Sequence, residues 1–62
     1  MNAWRWRPLE ASDAPQRCFG WGSQPFGHAP ATFVRETRVG EGHAWFLDLA
    51  HCERCLRERL AP

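Results

Sequence analysis

The chain has 62 residues, 44% of them hydrophobic, and a formal net charge of +1 from eight basic and seven acidic side chains. A domain this small buries only about 60% of the surface its unfolded chain exposes, and below about 70–80 residues a core alone rarely supplies more than ~3–5 kcal/mol. These figures argue against two domains, a dinucleotide-binding unit or a large enclosed catalytic pocket, and the charge lacks the basic excess of a dedicated nucleic-acid binder.

Residues 1–15 read as an N-terminal arm. Trp4-Arg5-Trp6-Arg7 alternates aromatic and basic side chains, the period of a strand with one apolar face. Pro8 ends or edges that strand. Residues 9–17 are a polar connector, with a turn at Asp13-Ala14-Pro15. Trp4, Arg5, Trp6 and Arg7 are candidate partner-binding residues, since the rings suit stacking on bases or a membrane interface and the guanidinium groups suit phosphate. The plainer reading is that the tryptophans cover a small core. No apolar stretch follows Arg5 and Arg7, so a signal peptide is not expected, and a cytoplasmic location follows by default. No apolar run is long enough to span a membrane.

Residues 16–62 are expected to form the folded unit. Cys18-Phe19-Gly20-Trp21-Gly22 is a tight knuckle, followed by a loop punctuated by Pro25, Gly27 and Pro30. Residues 32–39 suit a strand, Gly40-Glu41-Gly42 a turn, and His43 to Leu47 the returning strand. From about residue 49 to 60 a helix is expected, because Leu49, Cys52, Leu56 and Leu60 recur at helical spacing. Asp48 is the expected N-cap. Glu53 stands four residues before Arg57, the favourable order for a helical ion pair, and Arg57 and Arg59 complement the dipole at the helix end. Arg54, Arg57 and Arg59 read as a solvated, ion-paired face rather than a phosphate-binding one. The expected packing residues are Trp21, Phe33, Val39, Trp45, Phe46, Leu49, Leu56 and Leu60.

Cys18, Cys52 and Cys55 are an odd number of thiols, which suits a disulfide framework poorly. Three thiolates and one histidine suit a four-coordinate zinc ion. In Cys52-Glu53-Arg54-Cys55 two intervening residues let both sulfurs face one ion from the first turn of a helix, whose positive end favours thiolate. His28 is the first candidate for the fourth ligand, because it lies in the loop after the knuckle and Gly27 can turn the backbone inward. His43 and His51 are the alternatives. The metal set is therefore Cys18, His28, Cys52 and Cys55. The plain alternative is that the thiols are inert core residues.

The order of knuckle, hairpin and ligand-bearing helix over residues 18–60 resembles the treble-clef group of zinc fingers. That group's knuckle reads CxxCG, and here Trp21 stands where the second cysteine belongs. The resemblance implies a small α+β fold, a metal-stapled β-hairpin plus C-terminal helix, with a closed structural zinc site. No nucleophile elbow, phosphate-cradling loop or carboxylate pair points to an enzyme. The expected function is a structural-zinc domain that binds a protein partner. The alternatives are a nucleic-acid-binding zinc finger using the arm and helix arginines, and a metal-free structural subunit.

Overall fold

A computed structural model describes residues 2–62. The elements run β1 (Ala3–Pro8), β2 (Phe33–Arg38), β3 (Phe46–His51) and α1 (Glu53–Leu60). The strands form one antiparallel sheet in the order β1-β2-β3, so the fold is small α+β, a three-stranded sheet with one C-terminal helix.

The Trp-Arg alternation does form a strand, and β1 is hydrogen-bonded to β2 along its whole length, from Ala3 opposite Arg38 to Pro8 opposite Phe33. The segment read as an arm thus supplies a third of the sheet. Its two faces do different work. Arg5 and Arg7 converge on Glu36 of β2 at 3.0 and 3.2 Å. Arg7 also grips Asp13 through two hydrogen bonds of 2.7 and 2.9 Å. That pair ties the turn after β1, where the Asp13 amide donates to the Glu10 carbonyl, back to the strand it follows. On the other face Trp6 stacks on His51, with ring centroids 5.7 Å apart.

The hairpin of β2 and β3 is present, but the return begins later than the sequence suggested. His43, Ala44 and Trp45 belong to the connection, and β3 starts at Phe46. Trp45 lies beneath the guanidinium groups of Arg5 and Arg38 at 3.9 and 4.9 Å. The pairing shifts register between Arg35, opposite Leu49, and Glu36, opposite Leu47. Asp48 is the extra residue, and the bulge re-aims its side chain. It accepts two hydrogen bonds from Arg35, at 3.0 and 2.9 Å, and one from the Thr37 hydroxyl at 2.7 Å.

This overturns two expectations. Asp48 caps no helix, and residues 49–51 are strand. The helix starts at Glu53 with Cys52 as its N-cap. The helical spacing from Leu49 was misleading because Leu49 is also at strand spacing from Leu47 and His51, and the sheet pairing decides. The Glu53–Arg57 pair forms at 2.7 Å and Arg54–Glu58 at 3.5 Å.

The core also differs from the expected set. Trp21, Val39, Phe46 and Leu60 are exposed, and Phe33, Trp45, Leu49 and Leu56 are half-buried. The buried side chains are Cys18, Ala31, Val34, Ala50 and Cys55, with His51 as the buried polar one. Leu9 and Phe19 pack against Ala31, Val34 and Ala50. So little chain covers the sheet that the large apolar side chains are at most half-buried, and apart from His51 small residues make the interior.

Candidate metal centre

Three separate pieces of chain meet at one point. The first is the knuckle. Cys18 is fully buried, and its sulfur accepts a hydrogen bond from the Gly20 amide at 3.3 Å. Gly20 has φ +85°, and a Cβ there would lie 2.3 Å from the Gln24 carbonyl oxygen, so only glycine permits this turn. Trp21 and Gln24 exchange two backbone hydrogen bonds that close the tip. The Phe19 amide donates to the Ala50 carbonyl at 2.8 Å and docks the knuckle on β3.

The second piece is the returning loop. The Cys18 amide donates to the Ala29 carbonyl at 2.8 Å, and the Gly27 amide donates to the Cys18 carbonyl at 2.7 Å. Both neighbours of His28 are therefore bonded to Cys18, which holds the imidazole beside the thiol. Gly27 has φ +81°, the turn that the sequence assigned to it. The third piece is the start of α1, where Cys52 is the N-cap and Cys55 lies one turn on, fully buried.

Cys18, His28, Cys52 and Cys55 each offer one ligand atom, and these atoms all lie within 4.8 Å of one another. The Nε2 of His28 is 3.4 Å from Cys55 Sγ and 3.8 Å from Cys52 Sγ. A tetrahedral zinc with bonds of ~2.3 Å to sulfur and ~2.0–2.1 Å to nitrogen sets S···N edges of about 3.6 Å and S···S edges of about 3.8 Å. The donors fit that group in number, type and spacing, and the cysteines are free thiols. The structure thus brings together the four residues named from the sequence.

The electrostatics of the site are those of crowded thiols. Burial, with the neighbouring thiols of Cys18 and Cys52 adding to it, pushes the Cys55 thiol up to about 12. Burial acts in the same sense on Cys52, but the amides of Cys55 and Arg54 and the adjoining thiols outweigh it, and its pKa falls. Several thiolates crowded together repel one another, and a divalent cation removes that repulsion.

The other histidines are placed elsewhere. His43 is exposed in the β2–β3 connection, its amide bonded to the Gly40 carbonyl at 3.2 Å. His51 ends β3, 1% exposed, with Nδ1 3.8 Å from Cys18 Sγ. It touches one ligand of the group and is not among the four. Burial, and then the positive charges of Arg59 and Arg35, lower its pKa. Sequence reasoning weighed His51 only as a ligand. Its contact with Cys18 depends on residue 51 being strand, which the helical reading hid.

Among the candidate partner-binding residues, Trp4 is 61% exposed, Arg5 and Arg7 are committed to Glu36 and Asp13, and Trp6 is half-buried against His51. No helix is long and apolar enough to cross a membrane among the described residues. No known family, curated protein or solved structure matches this chain.

Proposed function

We propose that the chain is a small zinc-binding domain of treble-clef type, in which the metal is structural and the surface binds a protein partner. One observation carries the metal part. The four donors come from three separate stretches of chain and lie within 4.8 Å of one another, with two S···N separations of 3.4 and 3.8 Å near the tetrahedral edge, and Cys18 and Cys55 are themselves core residues. Among the described residues, the buried interior apart from the site and its neighbour His51 is Val34 and two alanines. So little apolar volume cannot offset the ordering entropy of the whole chain. Structural zinc sites contribute on the order of 10 kcal/mol of apparent folding free energy. Zinc suits the donor set because soft thiolates with one imidazole, closed to water, make a structural zinc site. A bound ion there cross-links the knuckle to the helix and does no chemistry, so the domain is not an enzyme. Free thiols held for a metal fit the reducing conditions of the cytoplasm.

The surface favours a protein over a nucleic acid. Arg5, Arg7, Arg35, Arg54 and Arg57 each stand in an ion pair with a carboxylate, which leaves little free positive charge for phosphate. Trp4, Phe26 and Phe46 are exposed at 61%, 70% and 49%, and aromatics are the enriched anchors of protein interfaces.

The metal reading is tested by circular dichroism during chelation. The fold is expected to melt in excess EDTA and to return on adding zinc. A cooperative thermal melt unchanged by EDTA overturns it. The partner class is tested by salt. Binding to DNA or RNA that falls steeply between low and moderate salt overturns the protein-partner reading in favour of the nucleic-acid one.

A further inference from the structure

Among the described residues, His51 is the buried polar side chain that the ligand set leaves out. Its ring lies between three groups. Nδ1 is 3.8 Å from Cys18 Sγ, Nε2 is 3.5 Å from an Nη1 of Arg59, and the face stacks on Trp6 at an interplanar angle of 23°. A guanidinium group can only donate hydrogen bonds. With Arg59 as the donor, Nε2 is the accepting nitrogen, which puts the ring N–H on Nδ1, the atom that faces the sulfur. Arg59 in turn lies over the ring of Trp21, 4.7 Å from its centroid. Trp21 stands where a knuckle of this kind carries its second cysteine.

We propose that His51 is an outer donor to the metal site, its Nδ1–H directed at the Cys18 sulfur and its tautomer fixed by Arg59, which Trp21 holds in place. This rests on the metal reading above. Cys18 then receives two hydrogen bonds, from the Gly20 amide at 3.3 Å and from His51. A thiolate is a stronger acceptor than a thiol, so both strengthen when a metal ionises Cys18. Three thiolates and an imidazole bring net negative charge to a divalent ion, and a directed N–H withdraws part of it from sulfur. Trp21 thus acts at a distance, through Arg59 and His51, on Cys18. Trp6 places β1 in the same assembly, so the first strand is clamped to the site as well as to the sheet.

The test uses the full chain and cobalt(II) as the spectroscopic probe, with zinc affinity measured by chelator competition. His51→Asn keeps an N–H near the Nδ1 position, whereas His51→Leu removes it and keeps the volume. Removing an outer-shell partner typically costs roughly 10–100-fold in metal affinity. His51→Leu is expected to lose affinity in that range and to move the sulfur-to-cobalt charge-transfer band to lower energy, because a sulfur without its donor gives up charge more readily. His51→Asn is expected to stay near wild type in both. Arg59→Met, on a half-buried helix residue, should shift the band in the same direction by less, and it carries the test if His51→Leu does not fold. An unchanged band in Arg59→Met then overturns the proposal. So does a His51→Leu chain with wild-type affinity and band, or a His51→Asn chain that follows His51→Leu, since that shows packing rather than donation. A wild-type chain that takes up no cobalt overturns the metal reading, and this one with it.

Discussion

Asp48→Asn separates two accounts of one residue. At a helix N-cap Asn and Asp are nearly equivalent, so the substitution would cost almost nothing. In the structure Asp48 is instead the bulged residue of β3, where its carboxylate takes both prongs of the Arg35 guanidinium at 3.0 and 2.9 Å and the Thr37 hydroxyl at 2.7 Å. The side chains of Arg35 and Asp48 are 26% and 23% exposed, so solvent screens the pair only in part. Hydrogen bonds to charged groups contribute about 1.5–3 kcal/mol each when well shielded, and exposed ion pairs about 0–1 kcal/mol. Asn loses the charge and turns one acceptor into a donor facing Arg35. A loss of about 1–2 kcal/mol is expected, which for a domain of this size lowers Tm by roughly 4–16 °C. The assay is thermal unfolding of the metal-loaded protein at fixed free zinc. Its pH dependence has a definite sign. Arg35, against the opposing effect of burial, and then Thr37 hold the Asp48 pKa below its usual value. The contribution is therefore full above the ordinary carboxylate range and is lost as pH falls through the lowered value. The difference between wild type and Asp48→Asn should close on acidification. An unchanged Tm at neutral pH refutes the reasoning.

Two further outcomes follow from other contacts in the fold. Gly20→Ala should weaken zinc binding by at least tenfold, because a Cβ 2.3 Å from the Gln24 carbonyl displaces the knuckle that aims Cys18, and left-handed strain at such a site costs about 1–3 kcal/mol; chelator competition reads it, and wild-type affinity contradicts it. The Asp13 carboxyl, held down to about 2 by Arg7 and the Glu10 amide, should titrate below the other carboxyls in a carbon-detected NMR series. Its tie to β1 then persists through the ordinary carboxylate range for as long as the metal-loaded fold does, and a midpoint in that range while the fold is intact contradicts the pair.

The site was more legible in the sequence than the interior. Cys52 and Cys55 are spaced for one helix turn, and Gly20 and Gly27 mark turns that few other residues can make, so the candidate ligands declare themselves through local chemistry. Asp48 and His51 do not, because their partners depend on a bulge that shifts register by one residue. A one-residue slip in a strand changes which face a side chain occupies, and no local pattern reports it. Leu49 shows the same limit, since it fits a helical stripe and a strand alternation equally well. The core was misjudged because hydrophobic size was taken as a sign of burial. In a sheet this narrow the aromatic rings lie outside on arginine, as Trp45 does on Arg5 and Arg38, and small side chains fill the centre.

In the function proposed above, Cys18, His28, Cys52 and Cys55 hold one ion. The most direct measurement is the zinc content per chain, by native mass spectrometry of untagged protein dialysed against a weak chelator, for wild type, His28→Ala and His43→Ala. One zinc in wild type and in His43→Ala, with most of it lost from His28→Ala, is the predicted result. A wild-type chain without zinc, or His28→Ala retaining it as fully as His43→Ala, contradicts the account.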